Sequence, residues 1–146
     1  MLKDIGVVIL GFSLYILLWF LFIGVQTEYD IFPLSWVGAI AASQYSEEIK
    51  ILSVRSLWAV NFLLPIILAS APIAIMLNTF VKSKIYGYSL AIGLLSCSVL
   101  MVSKLGAIFN PGYVPSWFSY LYACVCFIGV PILWSYILKS LTRSSS

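Results

Sequence analysis

Four apolar runs, roughly 5–25, 57–77, 85–102 and 117–138, contain no Asp, Glu, Lys, Arg or His and occupy most of this 146-residue chain. A helix rises about 1.5 Å per residue, so ~20 apolar residues cross the hydrocarbon core of a bilayer, and each run approaches that length. Lipid offers no hydrogen-bond partners, so an uncharged segment of this kind spans as a helix that satisfies its own backbone. The expected fold is therefore all-α: a four-span transmembrane helix bundle forming one membrane domain over 1–146. An outer interfacial segment, 26–56, and a polar tail, 139–146, complete it.

Composition excludes a soluble alternative. Hydrophobic residues make up 62% of the chain and charged residues 9%, against about 25% charged in ordinary soluble domains, which leaves too little polar surface to face water. The net charge of +3 comes from residues outside the apolar runs, so it reports membrane orientation, and no basic stripe with interleaved aromatics points to nucleic acid. Cys97, Cys124 and Cys126 all lie inside expected spans, where free cysteine acts as a small packing residue. Without His or a Cys-x-x-Cys pattern, no metal or cofactor ligand set is expected. The first run exceeds the roughly 7 to 15 apolar residues of a secretory signal and reads as a retained span.

Basic residues set the expected orientation. An even number of spans puts Lys3, Lys82, Lys84, Lys139 and Arg143 on one side and Lys50, Arg55 and Lys104 on the other. The excess of basic residues favours both termini in the cytoplasm. No Asn-x-Ser/Thr acceptor occurs, which agrees with a bacterial inner membrane.

Residues 26–56 form the long connector. It opens with the polar stretch Gln26-Thr27-Glu28-Tyr29-Asp30, and Ser35 to Ala42 is apolar but too short to span, so it reads as an interfacial or re-entrant helix with Trp36 at headgroup depth. Ser46, followed by Glu47 and Glu48, signals a capped helix start well before the second span. Residues 78–84 form a basic turn, Asn110-Pro111-Gly112-Tyr113 fits a type II turn, and Ser116 is placed to cap the last span. The tail 139–146 is expected to fray.

Three constellations stand out within the spans. Asn61, Pro65 and Pro72 fall on one helical face, a candidate polar kink, because Pro65 deprives the Asn61 carbonyl of its helical donor. A neighbouring helix bonding Asn61 is the favoured explanation, and a cavity wall the functional one. Ser89, Gly93 and Cys97 recur every fourth residue, and Ser119, Ala123 and Cys126 form a looser counterpart, a candidate seam for close packing or for partner docking. Trp36, Trp58, Trp117 and Trp134 are candidate interfacial anchors; a quaternary-ammonium or sugar site built from Trp36, Trp58 and Trp117 is the weaker reading.

Ionisable groups inside membranes usually mark transport or proton relays, and these runs have none. A membrane serine hydrolase would need a base beside its nucleophile, and none is present there. The expectation is a non-catalytic inner-membrane protein that contacts the lipid bilayer and binds another membrane protein, or itself, in an accessory, assembly or immunity/exclusion role. The alternative is a small oligomeric channel, holin-like pore or facilitator lined by Asn61, Ser70, Ser96 and Ser98.

Overall fold

A computed structural model describes residues 2–29, 35–81, 84–103 and 116–144. Among these residues there is no strand, and five helices follow in order: α1 (Leu2–Glu28), α2 (Ser35–Ala42), α3 (Glu47–Phe80), α4 (Ile85–Ser103) and α5 (Ser116–Ser144). α1, α3 and α5 are long and apolar enough to cross a membrane, and α4 is a shorter apolar helix. The 34 residues of α3 extend about 51 Å, well beyond a hydrocarbon core of ~30 Å. α3 starts at Glu47, as the Ser46-Glu47-Glu48 signal requires, with a backbone hydrogen bond from Lys50 to the Ser46 carbonyl. The Ser46 side chain makes no cap bond, in contrast to the expected side-chain cap.

α1 and α5 each pack against α3 and α4, and α2 rests on α3. α1 and α5 therefore lie across the bundle from each other, and large rings bridge the gap: the Phe127 ring centroid is 5.7 Å from that of Tyr15 and 5.1 Å from that of Trp19. Phe62 of α3 joins this cluster at 6.2 Å from Trp19 and 6.0 Å from Phe127. Edge-on rings fill a wide space without polar atoms needing partners, apart from the tyrosine and indole tips. Large apolar side chains such as Ile9, Leu17, Leu68, Leu94, Val125 and Leu133 point outward on the long helices. Such extensive apolar exposure is foreign to a soluble monomer and is what lipid would cover. The molecule has the composition and surface of a membrane protein.

Three boundaries differ from the sequence reading, and the first is that α3 continues through Phe80 into the turn expected at 78–84. Gln26, Thr27 and Glu28 belong to α1, not to a loop, because Gln26 reaches a partner on α3 and Thr27 donates to the Ile23 carbonyl at 2.9 Å. The expected frayed tail is helical through Ser144, with Thr142 donating to the Leu138 carbonyl at 3.1 Å. The expected turn at Asn110 to Tyr113 and the Ser116 side chain lie outside the described residues.

Candidate functional site

Proline chemistry organises the interior. A proline at position i removes the N–H that would bond the carbonyl at i−4, leaving an acceptor inside an apolar medium. For Pro65 that acceptor is the Asn61 carbonyl, and the Gln26 amide on α1 donates to it at 3.3 Å while also bonding the Asn61 side-chain oxygen. Asn61 and Pro65 thus face a neighbouring helix, not a cavity. Gln26 was not singled out from sequence, although an amide at the end of the first span was the available donor for the carbonyl freed by Pro65. Pro72 departs from the expected shared face: Pro65 is buried, whereas Pro72 is exposed. The two positions align on an ideal helix, but burial depends on whether another helix runs alongside at that level.

The small-residue stripe lies between helices of this chain. Ser89, Gly93 and Cys97 of α4 and Ser119, Ala123 and Cys126 of α5 are all buried. The Ser89 and Ser135 hydroxyls are 2.7 Å apart, and Ser135 donates onward to the Pro131 carbonyl at 2.9 Å. A Cβ added at Gly93 would stand 2.6 Å from the Phe127 carbonyl oxygen, the acceptor freed by Pro131. The stripe thus brings α5 backbone against α4 and leaves the Gly93 surface covered. On α1, Gly11 is similarly close to Ile92, an approach that the sequence reading did not identify.

The tryptophans separate into different roles. Trp58 is 7% exposed and stacks on Phe62 at 5.5 Å, so its indole packs inside the bundle and does not face outward. Its neighbour Tyr122 donates to the Ala59 carbonyl at 2.9 Å. Trp117 and Trp36 are 67% and 52% exposed and face outward. Trp134 is half-buried, and its indole N–H donates to the Ile67 carbonyl at 3.1 Å. Trp58 in the core cannot join Trp36 and Trp117 in an open aromatic cage.

At one end of the bundle Tyr88 donates to Asp4, with the Lys84 ammonium 4.0 Å from the same carboxylate, and Lys139 sits 4.9 Å above the Tyr86 ring. The beginnings of α1 and α4 and the end of α5 therefore meet there. Within one copy the candidate pore residues have different surroundings. Ser70 is buried, donating to the Ile66 carbonyl at 2.6 Å, with the Tyr15 hydroxyl 3.2 Å away; Ser96 donates to the Ile92 carbonyl at 2.9 Å; Ser98 faces outward. A cleft of about 10 Å³ beside Trp19, Ser96 and Phe127 has room for at most a single water. No group of His, Cys, Asp and Glu able to hold a metal ion occurs among the described residues.

No protein-family model matches the chain, and no curated protein or solved structure matches it. The functional reading therefore rests on the chemistry of these residues.

Proposed function

We propose that this chain is a four-span protein of the bacterial inner membrane, with both termini in the cytoplasm, which acts without catalysis by binding another membrane protein in an accessory, assembly or immunity/exclusion role. The observation that carries this reading is the internal use of the buried polar groups: Gln26 with Asn61, Tyr15 with Ser70, and Ser89 with Ser135. Groups spent in holding helices together are not free to bind a solute or to exchange protons. α4 is read as the fourth span because its uncharged length packs against both α1 and α5.

With the Ser89, Gly93 and Cys97 stripe buried, the proposed partner surface lies on the outer segment, where Trp36, Tyr45, Ile49 and Leu52 expose apolar groups beside the Lys50–Glu47 ion pair of 3.1 Å. Purification in mild detergent followed by mass spectrometry is the test. A stoichiometric membrane protein that copurifies with the wild type and is lost with Leu52→Glu supports the reading. Solute flux through liposomes containing the purified chain alone would replace it with a pore.

A further inference from the structure

The three prolines inside the long helices are treated differently by the fold. The Asn61 carbonyl, freed by Pro65, receives Gln26, and the Phe127 carbonyl, freed by Pro131, is covered by Gly93. Pro72 likewise deprives the Leu68 carbonyl of its helical donor. There the cover is missing: Leu68 is 43% exposed, Pro72 is exposed, and no side chain among the described residues donates to that carbonyl. Trp134 reaches the adjacent carbonyl, that of Ile67. A poorly satisfied acceptor facing hydrocarbon is costly, so the face around Leu68, Pro72 and Ile75 is suited to a helix that brings a donor.

The chain itself carries a donor at that depth. Ser13 lies on the exposed face of α1, and its hydroxyl makes no hydrogen bond among the described residues. Ser70, Ser96, Ser98 and Ser135 each donate back to the carbonyl four residues earlier. The pairs Tyr15 with Ser70 and Gln26 with Asn61 establish the antiparallel register of α1 and α3, which puts Ser13 within about one helical turn of the level of the Leu68 carbonyl. Copies inserted with the same orientation share that depth. On the same exposed face of α1, a Cβ at Gly6 or Gly24 would meet nothing within 4 Å, so another helix can approach closely.

We propose that the protein self-associates in the membrane, with the α1 face around Ser13 of one copy packing on the Leu68–Pro72 face of α3 in the next and the Ser13 hydroxyl donating to the Leu68 carbonyl. The two faces differ, so the contact is head-to-tail and closes into a ring when the rotation allows. This inference does not depend on the accessory role.

Single-molecule photobleaching of the purified chain in lipid vesicles, across a range of protein-to-lipid ratios, reads the association directly. The wild type is expected to form oligomers. Ser13→Ala removes the donor and Pro72→Ala restores an N–H to the Leu68 carbonyl, so each should weaken self-association about threefold, the usual effect of one interhelical hydrogen bond. The double variant should be no weaker than either single one, because both changes remove the same bond. Oxidative crosslinking between Ser13→Cys and Leu68→Cys copies should exceed that between Ser13→Cys and Leu133→Cys copies, and it reports proximity without relying on the bond energy. A wild type that stays monomeric at every ratio, oligomers in which the two single effects add, or equal crosslinking of the two pairs would overturn the proposal.

Discussion

Gly93 lies against the Phe127 carbonyl that Pro131 leaves without a helical donor: a Cβ at position 93 would be 2.6 Å from that oxygen and 2.8 Å from the Ile128 Cα. Both obstacles are backbone, so neither can rotate away. The close approach replaces a lost N–H bond with contact to a Cα–H group, a weak but recurrent interaction between helices.

Gly93→Ala should therefore destabilise the bundle by about 1 to 3 kcal/mol, the usual range for overpacking, and Gly93→Leu by more. Leu95→Ala is the control, since Leu95 is exposed on the same helix. Unfolding in mixed micelles, followed by circular dichroism, separates the two. Equal tolerance of both substitutions would mean that α5 does not approach α4 at Gly93.

Asn61→Leu removes the side-chain acceptor of the Gln26 amide, and Gln26→Leu removes the donor to both Asn61 oxygens. Each is expected to cost about 0.6 to 2 kcal/mol of bundle stability, with strong coupling in the double variant because one bonding unit is involved. Liposome flux should be the same before and after Asn61→Leu. A change in flux in a protein that remains folded would assign Asn61 to a conduction path.

Trp58→Ala should cost about 3 to 5 kcal/mol, as removal of a large buried aromatic does, since it empties a site formed with Phe62 and Tyr122. Trp117→Ala, at an exposed position, should leave the unfolding midpoint nearly unchanged. Comparable losses at both positions would contradict the division of the tryptophans into core and surface.

Reporter fusions test the proposed orientation. Fusions after Ser146 and between Phe80 and Ile85 should be active as cytoplasmic reporters, and one beside Tyr45 as an external reporter. The expectation follows from the excess of Lys and Arg at the former end. A C-terminal reporter active only outside the cytoplasm would invert the arrangement or remove one span.

The helical character of the chain, the approximate extent of its long helices and the start of α3 at Glu47 were legible in the sequence alone. Those properties arise locally: hydrocarbon forces an uncharged run to satisfy its own backbone, and Ser46-Glu47-Glu48 marks a helix start whatever it later packs against. The Asn61–Pro65 spacing likewise announced a carbonyl in need of a donor. That Gln26 supplies the donor, that Trp58 stacks in the core while Trp117 faces outward, and that Pro65 is buried while Pro72 is exposed were decided by tertiary structure. Apolar residues cover every side of these helices, so hydropathy does not tell the inward face from the lipid face. The rotation of each helix is determined by shape, through the close contact at Gly93 and the rings around Phe127, and by hydrogen bonds that join residues far apart in the chain.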